Sequence, residues 1–200
     1  MLHYSEALTC HNYDDCPMDS FGETERLILV GGTEGSLVAE LQNRKALADL
    51  LGVAVPANWP PPLYDQPAIE FTLKYLKENP DAKDWIFWYI VLREPEPIAI
   101  GITGFKGKPS SDGTVEVGYS VCNQFQRNGY ASEAVGALIK HAFSHNEVQR
   151  VIAETLPDLM PSIKVMEKNG LKFIGQGSED GVIRYELKRE DYAKQKVPSV

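Results

Sequence analysis

A chain of 200 residues is the size of one domain and buries about 70% of the surface its unfolded form exposes, so it can hold a core without disulfides or a metal. With 43% hydrophobic, 24% charged and 10% aromatic residues, the composition excludes wholesale disorder, a collagen-like repeat and a coiled-coil rod. Acidic residues outnumber basic ones 28 to 20, for a net charge of −8. That argues against a nucleic-acid partner, suits a cationic one, and requires a local device for any anionic ligand.

Residues 1–22 are polar, acidic and aperiodic and read as a flexible N-terminal arm. They lack the basic stretch and apolar run of a secretory signal, and no window approaches the roughly 20 apolar residues of a membrane span. A cytoplasmic protein without a membrane partner is expected. Cys10 and Cys16 lie beside His11, but no second ligand pair accompanies them, so no metal is expected.

Glu25 to Val30 begins a β-like run, and Ser36 to Leu51 carries leucines at near-helical spacing before Gly52. Pro56 to Pro62 holds four prolines and reads as a rigid loop. Asp65 caps a helix with Pro67 in its first turn, which Asn79-Pro80-Asp81 ends. Trp85 to Leu92 is a buried central strand, followed by strands Ile98 to Phe105 and Thr114 to Val121. Gly129 to His145 carries the strongest helical periodicity in the chain. Arg150 to Leu156 is a strand, Pro161 opens a short helix closed by Gly170, and strands Leu171 to Gly175 and Val182 to Leu187 form a hairpin. This mixed α+β order predicts one α/β domain over residues 23–190, a mostly antiparallel central sheet with helices on both faces, and a tail over 191–200.

The segment Gln126-Arg127-Asn128-Gly129-Tyr130-Ala131 sits between a strand and the best helix. A helix N-terminus offers free N–H groups and about half a positive charge, and a glycine turn before it lets those amides converge on a phosphate. Equally, Gly129 could simply turn the chain with Arg127 in solvent; the residues alone do not decide. Neither a Walker phosphate loop nor a dinucleotide fingerprint is present.

Gln126-x-x-Gly129-x-Ala131 resembles the acetyl-CoA motif of the GCN5-related N-acetyltransferases (GNAT). Val117 to Val121 followed by Gly129-Tyr130-Ala131-Ser132-Glu133-Ala134 is similar to the subgroup that acetylates ribosomal-protein N-termini. Thr24 to Leu29 resembles that subgroup's first strand, and Ser162 to Leu171 its last helix. The resemblance runs over about residues 23 to 190 and implies a GNAT fold with splayed central strands. It further implies acetyl-CoA as co-substrate, held by the backbone of Tyr119, Ser120 and Val121 and by the turn from Gln126 to Ala131, with direct attack by an amine.

Such chemistry moves two protons. Glu116, a carboxylate in an otherwise apolar strand, is the first candidate base, because burial there would raise its pKa; the alternative is a side chain facing solvent. Glu154 is the second. By resemblance Ser162 is the candidate acid, since Met166 stands where many relatives have Tyr. Leu159 stands where the subgroup has Asn. Cys122 has no His in clear relation to it, and His141 and His145 lack a third metal ligand. Trp59, in the proline loop, is the candidate acceptor contact. The expected partner is a primary amine, on a protein N-terminus or a small molecule, and the chain itself is expected as a monomer or homodimer. The alternatives are a non-catalytic acyl-CoA-binding domain and an interaction module.

Overall fold

In the computed structural model, which describes residues 20–93 and 95–195, the strands are β1 (Ser20–Glu23), β2 (Leu27–Gly31), β3 (Trp88–Leu92), β4 (Ile98–Phe105), β5 (Thr114–Val121), β6 (Arg150–Thr155), β7 (Lys172–Gln176) and β8 (Ile183–Lys188). The helices are α1 (Glu34–Gln42), α2 (Arg44–Leu51), α3 (Gln66–Glu78), α4 (Tyr130–Ser144), α5 (Met160–Lys168) and α6 (Arg189–Gln195). The strands form one sheet in the order β1-β2-β3-β4-β5-β6-β8-β7. Every neighbouring pair is antiparallel except β5 and β6.

Alternate residues of β2 and β3 supply two cores, as a period of two requires. Leu27, Leu29 and Ile90 pack beneath α4 and α5 with Leu138, Ile139, Ile163 and Met166. Ile28, Tyr89 and Val91 pack on the opposite face against Leu37, Leu47, Ile69 and Leu76 of α1 to α3. Each fully buried leucine contributes about 2 kcal/mol.

The site is made by a failure of pairing. β5 pairs with β6 only over Thr114 to Glu116. Beyond that point β5 stays on β4, from Gly118 opposite Gly104 to Val121 opposite Gly101. β6 instead follows β8, from Ala153 opposite Tyr185 to Thr155 opposite Ile183. A gap opens between the two parallel strands.

Four expectations change. The helix expected over 36–51 is two helices, because Asn43 adopts an extended conformation (φ −177°), ends α1, and caps α2 by accepting from the Ala46 amide. The apolar run from Trp85 starts as a 3-10 turn, Pro80–Trp85, and the strand begins only at Trp88. Both tryptophans are buried, and an apolar run alone does not separate strand from buried turn. Residues 20–22, expected in the arm, join residue 23 in β1 and pair with β2 as an edge strand. The expected tail begins inside α6, where Tyr192 stacks on Phe143 at 4.7 Å. The remainder of the arm, with Cys10, His11 and Cys16, lies outside the described residues.

A candidate active site in the strand gap

The gap between β5 and β6 leads into a cleft of about 680 Å³. Its walls are β5, the turn before α4, the first turn of α4, one side of α5 along its length, and Pro62-Leu63 at the end of the proline loop. Cys122 donates its amide to Ile100, and Lys106 donates to Glu116. In an antiparallel ladder these two bonds fix the parity. Gly118 and Ser120 turn their backbone groups toward β4, and Tyr119 and Val121 turn theirs into the gap. Of the three strand residues expected to hold a cofactor by backbone, all line the cleft, and these two have amides that no strand takes up among the described residues.

The turn is braced from several directions. Gln126 donates its Nε2 to the Val121 carbonyl (2.9 Å) and to Asn123 Oδ1 (3.1 Å). Asn128 donates to the carbonyls of Phe125 and Gln126, so its side chain folds the turn. It does not line the cleft, whereas Gln126, Arg127, Gly129, Tyr130 and Ala131 do. Gly129 takes φ +83° at the N-cap, and no side chain caps α4. The first amides of that helix are therefore open to an anion. Arg26, at the head of β2, locks the turn. Its Nε and Nη2 hold Glu133 Oε2 at 2.8 and 2.7 Å, its Nη1 donates to the Asn128 carbonyl at 3.0 Å, and its guanidinium lies 4.6 Å above the Tyr130 ring. Partial burial works against the charge on Glu133, but bonds from Thr24 and Arg26 hold its carboxyl below the usual range.

The charge of the cleft opposes that of the chain. Arg127, Lys164 and Lys168 line it, and none of the described residues that line it is acidic. Lys168 Nζ comes within 3.9 Å of where a Cβ on Gly129 would stand. Open helix amides, three cations and unpaired strand amides suit a ligand with a phosphorylated end and an amide-bearing arm, as CoA has. A second hollow, of about 600 Å³, lies between Asp112 and Ala193. Its arginines are engaged: Arg150 with Asp112 and Glu186, and Arg189 with the carbonyls of Phe143, His145 and Val148.

The expected catalytic side chains fall as follows. Ser162 lines the cleft, and its Oγ lies 3.0 Å from the Tyr119 hydroxyl, which also reaches the Ser162 carbonyl at 3.1 Å. Burial raises the Tyr119 pKa, partly offset by Ser162. Glu116 shares a face of β5 with Gly118 and Ser120, is paired with Lys106, has a side chain 19% exposed, and does not line the cleft. Glu154 is a latch. Burial raises its pKa, but the Ser178 hydroxyl, Arg184 and the Ser178 amide outweigh this and hold it low. Met166 is buried in the core, and Leu159 lines the cleft. Cys122 is buried and its thiol is pushed up to about 11, which leaves little thiolate at neutral pH. Trp59 does not line the cleft; its Nε1 donates inward to Glu40 at 2.6 Å. The sequence reading missed the Tyr119 hydroxyl, Lys164, Lys168, the Arg26 lock and Leu63. Only the two lysines carried a local signal, at i and i+4 on α5.

Residues 38–172 match the family described as "Acetyltransferase (GNAT) domain". Over 132 residues the chain is 33% identical to the uncharacterized N-acetyltransferase YjdG of Bacillus subtilis, covering 66% of this chain and 77% of that one. It spans about half of another relative, the N-acetyltransferase p20 of Bacillus licheniformis, at 33% identity over 54% of this chain and 53% of that protein. Among solved structures, RimL, a ribosomal L7/L12 α-N-protein acetyltransferase in complex with coenzyme A, superposes with a TM-score of 0.60 at 19% identity, covering 86% of this chain and 99% of RimL. A GNAT-family acetyltransferase from Bacillus anthracis superposes with a TM-score of 0.55 at 23% identity, over 84% and 98% of the two chains.

Proposed function

We propose that this chain, which belongs to the GNAT acetyltransferase family and is an N-acetyltransferase, moves the acetyl group of acetyl-CoA directly to a primary amine, either a protein N-terminal α-amine or a small-molecule amine. The observation that carries the proposal is the cleft itself: unpaired backbone of β5 beside an uncapped helix, with three cations in an otherwise acidic protein. The coenzyme A bound in RimL, the shared fold and the Gln126-x-x-Gly129-x-Ala131 turn support the same reading.

Bound acetyl-CoA supplies an acetyl thioester open to attack by a free amine. The amides of the turn from Gln126 to Ala131 hold the pyrophosphate, with Arg127 and Lys168 adding charge at the same helix end. Tyr119 and Val121 pair by backbone with the pantetheine arm, and one N–H of this row polarises the thioester carbonyl, a donor worth about 3 kcal/mol in comparable sites. Ser162 delivers a proton to the leaving sulfur and is re-supplied through Tyr119. Glu116 accepts the amine's proton through water, since its carboxylate lies off the cleft wall. Proton transfers of this kind contribute about 100-fold or more each.

Two measurements test the proposal. Acetyl-CoA at about 100 times its Kd should stabilise the fold by about 2.7 kcal/mol, and free CoA should then appear only when an amine is added. No stabilisation would sink the cofactor assignment. Stabilisation with no CoA release across peptides and small amines would leave only binding.

A further inference from the structure

Among the described residues, Glu40 is the one acidic residue that is buried, and this mechanism does not use it. It sits on α1, is 9% exposed, and accepts from three neutral donors: Trp59 Nε1 at 2.6 Å, Tyr89 Oη at 2.9 Å and Tyr64 Oη at 3.2 Å. A carboxylate taken out of water is costly, and these three hydrogen bonds offset that cost while fixing the donors that make them. Two of those neighbours bracket a segment of four residues, 60–63. Trp59 enters it and Tyr64 leaves it, and Tyr89 in β3 anchors both to the sheet.

That short segment is the cleft's charge-free lip. Pro62 accepts from Ser120 Oγ at 2.6 Å, which ties the lip to the strand carrying the unpaired amides. Leu63 follows with φ +63° and is 93% exposed while lining the cleft. A leucine rarely takes this left-handed conformation, and the surroundings must impose it. It packs into neither core, so core packing does not account for its exposure. Across the cleft lie Leu159 and Met160, also exposed and apolar. The cations stand with the turn and α5, leaving this end for a ligand without phosphate.

We infer that Leu63 is the acceptor-contact residue, that Glu40 is the positioning residue holding it over the cleft, and that the acceptor is a primary amine bearing an apolar substituent. The inference rests on the acetyltransferase reading above and deepens it. Glu40 touches neither substrate. It acts by fixing Trp59 and Tyr64, and through them the lip.

The test uses the full chain, acetyl-CoA, and four probe amines: phenethylamine and isoamylamine against ethanolamine and 1,3-diaminopropane. Apolar probes should exceed polar ones in kcat/KM by about ten-fold, the scale of one side-chain contact. Glu40→Leu should raise KM for phenethylamine about ten-fold and leave the Kd for acetyl-CoA within about two-fold. Glu40→Gln should restore KM, because its amide oxygen still accepts from Trp59 and its NH2 can donate to the tyrosine hydroxyls. In a Leu63→Gly background Glu40→Leu should change KM no further, since nothing remains to be positioned. If Glu40→Leu does not fold, Trp59→Phe removes one donor and should raise KM by about three-fold. Equal turnover of polar and apolar amines, Glu40→Gln as impaired as Glu40→Leu, or additive effects with Leu63→Gly would overturn the inference. So would acetyl-CoA binding with no probe acetylated. The first three outcomes leave the acetyltransferase reading standing, the fourth leaves it standing only if a peptide amine is acetylated, and failure of acetyl-CoA to bind overturns both.

Discussion

Replacing Arg26 with alanine separates a stable fold from a competent cofactor turn. The guanidinium makes two contacts with Glu133, one with the Asn128 carbonyl, and a cation–π contact with Tyr130. The two side chains are 42% and 17% exposed, so solvent screens the pair and the lower end of the charged hydrogen-bond range applies, about 1.5 kcal/mol. The ring contact adds about 0.5 kcal/mol. A loss of about 2 kcal/mol lowers Tm by about 6 °C in a domain of this size. Thr24 and the Arg26 amide still hold Glu133, so the variant folds but its turn is no longer held in one shape. If about 1.4 kcal/mol of that loss falls on the bound conformation, the Kd for acetyl-CoA rises about ten-fold. The assay is calorimetric titration of acetyl-CoA into wild type, Arg26→Ala and Lys45→Ala. Lys45 forms an ion pair with Asp49 on α2 in which both side chains are largely exposed, and its loss should change neither Tm nor Kd measurably. An Arg26→Ala protein that melts earlier yet binds acetyl-CoA as wild type does would refute the argument that turn rigidity carries affinity.

Other outcomes follow from the same geometry. Ser162→Ala and Tyr119→Phe should each lower kcat, by about 100-fold and about ten-fold, and the double variant should be no worse than Ser162→Ala, because both act on one proton path. Additive losses in single-turnover kinetics would contradict that path. Glu116→Gln should lower kcat more at low pH, where the amine arrives protonated, than at about pH 9, where it is free; a uniform loss would argue against a base. Burial raises the Glu40 pKa against the three hydrogen bonds that lower it, so the folded chain binds that proton more tightly than the unfolded one. This group's contribution to stability is fully present below its unfolded pKa and is lost as pH rises through the folded value. Glu40→Gln should therefore gain stability over wild type at about pH 7 and show little or no gain at about pH 4, as read by urea denaturation.

What the sequence disclosed was local. The bounds of β4 and β5 are marked by apolar runs between turn residues, the body of α4 is written in a period of 3.6, and Gly129 marks a turn that a residue tolerant of positive φ closes without strain. The leucine spacing over 36–51 reads as one helix, but in the fold the cap at Asn43 divides it. The rest depends on pairs far apart in the chain. Tyr119 meets Ser162 across 43 positions, and Arg26 meets Glu133 across 107. No spacing rule links such partners. Glu40 lies in a helix where a glutamate reads as solvated; its burial follows only from where three aromatic donors converge. Trp59 drew attention as a ring in a proline loop, yet its ring nitrogen is turned inward, and Leu63, four residues on, reaches the cleft instead.

The central claim is that the strand gap and the glycine turn present an acetyl thioester to an amine. The measurement that meets it most directly is acetyl transfer followed by mass spectrometry, with isotopically labelled acetyl-CoA and phenethylamine or a short peptide as acceptor, and free CoA counted in the same reaction. The account predicts one labelled acetyl-amine for each CoA released, no acetyl group retained on Cys122, and loss of both products in a Gly129→Trp variant. Release of CoA without acetylated amine, or transfer undiminished in that variant, would contradict it.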